Sequence, residues 1–345
     1  MILLGGRAEY TARGWCCEPQ FATLRAMSHG MFRRFVVLAS IAISTNGCGG
    51  DRAQEQGPLV VFNAGSLARP LRAVLDTFAA REGVRVDQES AGSLESARKL
   101  TELGKLPDII ALADAEVFPG YLMPEHLSGY VEFARNRMVL AYTDRSRHAS
   151  EITGDSWWRI VQREGVEVGR SDPDDPIGYR TLLVWQLAEQ HYTQPGLATR
   201  LLTSSPARNV RLQGADLVGL LQAGEFDYLW AYESIARATG LRFVILPPEI
   251  DLSDASRADA YAAASVEVRG ARAGETVTFR GRPIVYAFAV PDRAPHAALA
   301  GRFAEFLVSA EGRAILRREG LDAMDEARVA GTWASWMPVA KDSIP

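Results

Sequence analysis

Residues 59–67 read LVVFNAGSL, and this stretch decides the fold class. Four apolar residues predict a short strand, a turn of small residues follows, and residues 70–81 place apolar side chains at helical spacing. A strand, a glycine-containing turn and a helix N-terminus together aim backbone N–H groups at an anion. The stretch therefore predicts one β–α unit of an α/β fold and one wall of an anion-binding site.

The same order of elements recurs twice further along the chain. The turn SAGS at 90–93 follows a predicted strand at 84–88 and precedes a predicted helix at 94–103. The turn DPIGYR at 175–180 opens a predicted helix at 177–190. Together with the first turn, these segments predict helix N-termini that converge on one small, negative ligand.

Short strands alternate with helical patterns from residue 58 onward, which predicts parallel sheets of the α/β class. A longer strand at 137–142 marks the crossing into a second lobe, and strands at 243–246 and 283–288 return the chain to the first. Closing helices follow at 297–319. Two crossovers make a hinge with a cleft, and open α/β sheets bind ligands at the carboxyl ends of their strands.

These crossings divide the folded chain into two lobes. We expect lobe 1 to comprise residues 58–140 and 247–340, and lobe 2 to comprise residues 141–246. The three polar turns fall at the carboxyl ends of strands in both lobes, so the expected site lies in the cleft between them.

The composition excludes several classes of function. The chain has 345 residues, a hydrophobic content of 47%, a charged content of 23% and a net charge of −4, which is typical of a soluble globular protein of two domains. A nucleic-acid surface needs a basic excess, so we expect no nucleic-acid partner. No cysteine follows Cys48 and the histidines lack metal-ligand spacing, so we expect no disulfide, no cysteine-based metal site and no cofactor in the folded part.

An export signal is predicted at residues 31–48. Two arginines precede an apolar stretch that is too short to span a bilayer comfortably and that ends at Cys48. The end resembles a bacterial lipoprotein cleavage box, although Thr45 stands where an aliphatic residue is usual. We expect a periplasmic or cell-envelope protein whose only membrane contact is a lipid on Cys48. Ordinary cleavage near Gly47 without a lipid is the alternative.

The segments on either side of this signal are interpreted as lying outside the fold. Because a signal peptide begins a chain, residues 1–30 are interpreted as a non-native upstream extension. Residues 49–57 are polar and glycine-rich, which predicts a flexible tether.

Ser66 and Ser93 are the first candidate ligand-binding residues. Each follows a glycine, Gly65 or Gly92, that leaves the backbone N–H uncovered, and each hydroxyl adds a donor that rotates to suit a ligand. Serine is also a favoured N-cap, so either residue could instead only cap its helix. Two such serines in one lobe favour ligand binding.

Asp175 and Tyr232 are candidates in the second lobe. Asp175 precedes Pro176 at a predicted helix start, where it could serve only as a cap. A carboxylate beside an anion is repelled unless the central atom of the anion accepts it as a ligand. Molybdenum and tungsten can do so, whereas the sulfur of sulfate and the phosphorus of phosphate normally do not. Tyr232 ends a predicted strand, where its phenol could donate to the anion or simply be half-buried.

At these residues the chain resembles the tungstate- and molybdate-binding proteins of ABC importers, in the archaeal-type tungstate-binding branch. The resemblance covers nearly all of residues 58–340 and rests on the segments 63–67, 90–93, 108–114, 175–180, 224–228 and 247–252. It implies a type II periplasmic-binding fold whose two lobes close on molybdate or tungstate, and a monomer that serves an ABC permease in the inner membrane. The contacts it implies are Gly65, Ser66, Ser93, Asp175, Pro176, Ile177 and Tyr232.

One position departs from the pattern of that family. The family usually places a glutamate two residues before the acidic residue that opens the helix expected at 215–223. Here Gly214 stands at that position, and Asp216 remains as the acidic residue. With Asp175 as the one carboxylate near the metal centre, the departure favours four-coordinate over six-coordinate binding. It also leaves open another tetrahedral oxyanion such as sulfate or phosphate.

Two functions from other classes can be weighed against transport. An enzyme with Ser66 as its nucleophile needs a positioned base, and the sequence places no histidine near these motifs. A transcriptional effector domain of the same fold would carry a DNA-binding helix-turn-helix and no export signal. We therefore expect a binding protein and not an enzyme.

Overall fold

A computed structural model describes residues 57–214, 216–270 and 274–332, together with the backbone of residues 343–344. The upstream extension expected at 1–30, the export signal with Cys48 and nearly all of the expected tether lie outside the described residues. Among the helices that are described, none is both long and apolar enough to cross a membrane.

The first seven described strands include five that were expected and two, β4 and β7, that were not. They are β1 (Leu59–Ala64), β2 (Val86–Ala91), β3 (Ile109–Leu112), β4 (Gly129–Arg135), β5 (Met138–Tyr142), β6 (Val168–Ser171) and β7 (Val210–Arg211). The remaining described strands are β8 (Tyr228–Tyr232), β9 (Arg242–Ile245), β10 (Ser265–Arg269), β11 (Thr276–Arg280), β12 (Val285–Ala289), β13 (Asp322–Gly331) and β14 (Ser343–Ile344).

The described α-helices cover the faces and ends of these strands. They are α1 (Ala68–Glu82), α2 (Ser93–Thr101), α3 (Trp157–Ile160), α4 (Pro176–His191), α5 (Leu197–Ser204), α6 (Asp216–Ala223), α7 (Glu233–Ala238), α8 (Ala258–Tyr261), α9 (Ala297–Val308) and α10 (Ala310–Arg318). α1 buries Leu71, Val74 and Phe78 at helical spacing and ends at Gly83, whose φ of 67° only glycine adopts readily.

The closing segment consists of two helices, α9 and α10. Ser309 leaves the helical conformation, and its hydroxyl accepts a hydrogen bond from the N–H of Gly312 at 3.1 Å. This is the N-cap geometry that begins a new helix. The closing helices expected at 297–319 are therefore confirmed, and the cap at Ser309 marks where the second of them begins.

The first sheet has seven described strands in the order β14-β13-β4-β12-β3-β1-β2. β1 runs parallel to β2 and β3, as expected, but β12 runs antiparallel to both β3 and β4. The reason lies at the hinge, where the N–H of Asn136 donates to the carbonyl of Ile284 at 3.2 Å. Because the chain leaves through β4 and returns through β12 at this one point, the two strands must run in opposite directions.

The second sheet has the order β7-β6-β8-β5-β9. β6 pairs parallel with β7 and β8, whereas β5 pairs antiparallel with β8 and β9. The whole of β5 therefore belongs to the second sheet. The boundary expected between residues 140 and 141 falls inside this strand, and the crossing lies instead at residues 136–137.

The returning segment also contains a hairpin that the sequence analysis assigned wholly to the first lobe. β10 and β11 pair with each other, and Gln186 of α4 exchanges two hydrogen bonds with the backbone of Ser265, at 2.8 and 3.1 Å. The ring of Phe279 lies 5.0 Å from that of Tyr179 on the same helix. The hairpin therefore packs on the helix that opens with the third polar turn.

Candidate functional site

The first polar turn begins where β1 ends. Ala64 is extended, with φ −61° and ψ 145°, and residues Gly65–Leu67 form one 3-10 turn that runs into α1. The first N–H groups of such a helix have no acceptor within the helix. They are therefore available to an anion placed at the end of β1.

The second polar turn follows the same design. Gly92 is extended, α2 begins at Ser93, and the Ser93 side chain is completely buried. The Ser93 hydroxyl oxygen accepts a hydrogen bond from the N–H of Ala113 at 3.0 Å, at the end of β3. Because this oxygen already accepts from the protein, the proton of the hydroxyl is left to donate to a ligand.

The third polar turn opens α4 and is held by Asp175. One carboxylate oxygen accepts from the N–H of Ile177 at 2.9 Å, which is an N-cap, and the other accepts from the N–H of Gly214 at 2.8 Å. Burial raises the pKa of Asp175 to about 6, although these two N–H groups pull the pKa down. Asp175 thus ties Gly214 to the start of α4. Its role as an oxygen ligand of a metal centre stays a prediction.

Two glycines are required by close approach in this turn. A Cβ atom at Gly178 would lie 1.9 Å from the backbone oxygen of Asp172, and one at Gly214 would lie 2.4 Å from Cδ1 of Ile177. Gly178 lets α4 begin directly against the end of β6. Gly214 leaves space for Ile177, so a glutamate at position 214 could be accommodated only if Ile177 moved.

These turns line one small cavity, which we call the central cavity. Its volume is about 10 Å³, which is close to the volume that one water-sized sphere requires. The lining residues are Ala64, Gly65, Ser66, Gly92, Ser93, Ala113, Asp175, Pro176, Ile177 and Gln213. Such a space excludes a sugar or a peptide, and a tetrahedral oxyanion of five heavy atoms fits only if the surrounding turns move apart.

Most of the residues expected at the site line the central cavity, but one expected residue does not. Tyr232 is fully buried at the end of β8, and its hydroxyl accepts a hydrogen bond from Arg180. The sequence analysis missed Gln213, whose Oε1 lies 3.2 Å from an ideal Cβ position on Gly65. No periodicity or cap marks this glutamine; only its place beside Gly214 could have pointed to it.

A buried ion pair connects the lobes behind the cavity. Arg180 of α4 contacts the carboxylate of Asp114, after β3, at 3.1 Å and donates to the carbonyl of Ala113 at 2.7 Å. Tyr179 also donates to Asp114, and the charge of Asp114 raises the pKa of Arg180 against the effect of burial. The arginine charge is therefore neutralised across the cleft and is not offered to a ligand as a free cation.

A second, more exposed charge cluster surrounds Asp174. Arg98 of α2 contacts Asp174 at 3.3 Å, and Arg269 of the hairpin contacts the same carboxylate oxygen. Asp174 directly precedes Asp175, so this cluster also holds the third polar turn against the first lobe.

The geometry describes two lobes closed on a cavity that is rich in hydrogen-bond donors. The sequence matches the family described as "Bacterial extracellular solute-binding protein" over residues 59–322. The chain belongs to this family. The relationship expected from the polar turns is thereby confirmed, and the family is one of solute-binding proteins.

Individual relatives agree with this membership. A solute-binding protein of Petrotoga mobilis, named as uncharacterized, is 42% identical over 266 residues, covering 76% of this chain and 83% of that protein. The molybdate/tungstate-binding protein WtpA of Pyrococcus abyssi is 35% identical over 300 residues, covering 79% and 86%. The solved structure of the Azotobacter vinelandii periplasmic molybdate-binding protein aligns with a TM-score of 0.54 and 15% identity, covering 76% and 98%. The two-lobe fold expected from the sequence is confirmed.

Proposed function

We propose that this protein binds a tetrahedral oxyanion, molybdate or tungstate, in the central cavity and delivers it to an ABC permease in the inner membrane. The observation that carries this function is the convergence of donors on one small space between the lobes. The turns before α1 and at the start of α2, with Ser66 and Ser93, border that space. At the start of α4, Pro176 has no N–H and the N–H of Ile177 donates to Asp175, so that helix start contributes no free N–H from these two residues. Backbone N–H groups at helix starts bind a small anion without a free cation. The name of the relative WtpA agrees with this ligand class.

The arrangement also bears on which oxyanions fit. Both carboxylate oxygens of Asp175 accept backbone N–H groups, and Gly214 brings no carboxylate of its own. The site is then a set of donors that suits an oxyanion carrying no proton. Sulfate is the second candidate for this reason, because a four-coordinate site gives molybdate no additional oxygen ligand. Phosphate, which carries a proton at neutral pH, would need an acceptor, and each oxygen of Asp175 is already held in place by one N–H group.

Calorimetry of the exported chain, expressed from residue 49, tests this function. We expect binding of molybdate and tungstate, measurable binding of sulfate, and at least tenfold weaker binding of phosphate at pH 7.5, since a polar group without its partner costs about 1–3 kcal/mol. Absence of binding for all four anions would contradict the proposal. Binding of phosphate as tight as that of molybdate would contradict the donor-only description of the site.

Replacing either serine tests the direct contacts. We expect Ser66→Ala and Ser93→Ala each to lower molybdate affinity roughly ten- to a hundredfold, because each loses a hydrogen bond to a charged oxygen, worth about 1.5–3 kcal/mol. Ser96→Ala is the matched control. Ser96 lies one turn after Ser93 on α2, and its buried hydroxyl has no partner among the described residues. Equal effects of all three changes would indicate that these serines act only in packing.

The proposed setting of the protein follows from the family and the sequence. An extracellular solute-binding family agrees with a position outside the cytoplasm and with a transport role in place of catalysis. No histidine borders the central cavity, within the described residues, that could activate Ser66. The lipid on Cys48 and the monomeric state belong to the same proposal.

A further inference from the structure

A chain of hydrogen bonds runs from the hinge to Ser66. Nδ2 of Asn136 donates to the hydroxyl of Tyr286 at 3.0 Å, and that hydroxyl donates to Oγ of Ser66 at 3.0 Å. Nδ2 also donates to Oγ of Ser234, at the start of α7, at 2.7 Å. Asn136 lies in the crossing between β4 and β5, so this series of hydrogen bonds connects both lobes to the central cavity.

The donor and the acceptor in each of these hydrogen bonds follow from the orientation of the Asn136 amide. Oδ1 of Asn136 accepts the backbone N–H of Arg137 at 3.0 Å, so the other end of the amide must be the NH₂ group, which can only donate. The Tyr286 oxygen therefore accepts, and its single proton goes to Ser66. Ser66 then has its own proton free, and Ser66 lines the central cavity.

We propose that Tyr286 and Asn136 are positioning residues that orient the Ser66 hydroxyl as a donor to the bound oxyanion. Tyr286 is fully buried and Asn136 is 8% exposed, so water does not compete freely with these bonds. Because Ser234 of the second lobe shares the same amide group, closing of the lobes and orientation of the serine are coupled. The inference rests on the oxyanion-binding function proposed above.

A double-mutant cycle of Tyr286→Phe and Ser66→Ala tests whether Tyr286 orients the Ser66 hydroxyl or only forms hydrogen bonds with buried polar groups. Tyr286→Phe should weaken molybdate binding roughly threefold to tenfold, the effect of losing one neutral hydrogen bond. In a Ser66→Ala background the same change should have no further effect, since the serine proton it would orient is gone. Calorimetry with molybdate measures both. An equal loss in the two backgrounds, or no loss in either, overturns the inference.

Two further variants keep the test sharp. Tyr228→Phe is the matched control, because the hydroxyl of this buried tyrosine donates to the backbone oxygen of Arg147, at the opposite end of β8 from Tyr232. The molybdate affinity of this variant should not change. Asn136→Asp replaces the donating amide by an acceptor, so Tyr286 should donate to it and the Ser66 proton should turn toward Tyr286. We expect a loss at least as large as that of Tyr286→Phe, and a smaller loss when Ser66→Ala is already present.

The outcome distinguishes this inference from the function on which it rests. If the unaltered protein binds none of the oxyanions, the proposed function fails. If it binds molybdate while the cycle is additive, only the positioning role of Tyr286 and Asn136 fails.

Discussion

Replacing Arg180 with methionine should lower molybdate affinity by a hundredfold or more while the free protein stays folded. Removing one partner of a buried ion pair costs about 3–5 kcal/mol, because the remaining charge is left without compensation. Here the remaining charge is Asp114, which belongs to the first lobe, whereas Arg180 belongs to α4 of the second. With the lobes apart Asp114 can be hydrated, so the cost falls on closure and not on folding.

The measurements are calorimetry with molybdate and thermal unfolding without ligand. Arg269→Met is the control, since Arg269 pairs with Asp174, next to the same turn before α4, through a side chain that is 75% exposed. An exposed pair contributes about 0–1 kcal/mol, so the control should lose less than about fivefold in affinity. Changing Asp114 to leucine together with Arg180→Met should recover part of the loss, because two apolar groups leave no buried charge. Unchanged affinity in Arg180→Met would refute the role of this pair in closure.

Gly178→Ala should destabilise the folded protein by about 3 kcal/mol or more, near the upper end of what added volume costs in a packed interior. The new Cβ would meet the backbone oxygen of Asp172 at 1.9 Å, and backbone cannot rotate away as a side chain can. Either α4 or the end of β6 must shift. Since Asp175 lies between them, molybdate binding should weaken as well.

Gly219→Ala provides the opposite control for this change. Gly219 lies within α6, and a Cβ there would meet nothing within 4 Å. Alanine in a helix interior is favoured over glycine by about 0.5–1 kcal/mol, so this variant should be slightly more stable. Thermal unfolding compares the two. If the Gly178→Ala protein were as stable as the Gly219→Ala protein, the expected clash between a Cβ atom at position 178 and the backbone oxygen of Asp172 would be refuted.

Much of the fold could be predicted because its units are local. The strand and helix at residues 59–82, the helix start at Ser93 and the turn before α4 depend on neighbours within a few residues. The closing helices at 297–319 were predicted from a local pattern too, although the cap at Ser309 that separates them was not located. The direction of β12 was different in kind, because it depends on where the chain returns from the second sheet.

The candidate site divides in the same way. Small residues after a strand suggested the donors of the first two turns, and those turns meet in the central cavity. Gln213, the Asp114–Arg180 pair and the contact of Tyr286 with Ser66 could not be predicted. Tyr286 and Ser66 are 220 positions apart, and no pattern in a single sequence relates them.

By itself, then, the sequence determined the local chemistry: three helix starts, of which the first two offer N–H groups, two serines beside glycines, and an aspartate that caps α4. These follow from backbone preferences and short-range hydrogen bonds. Only the tertiary structure decided that the Asp175 carboxylate is occupied by Gly214 and that Arg180 is neutralised by Asp114. These contacts form only in the folded chain, where burial makes an unpaired charge or polar group costly. Each buried group is therefore paired with a partner that is distant in sequence.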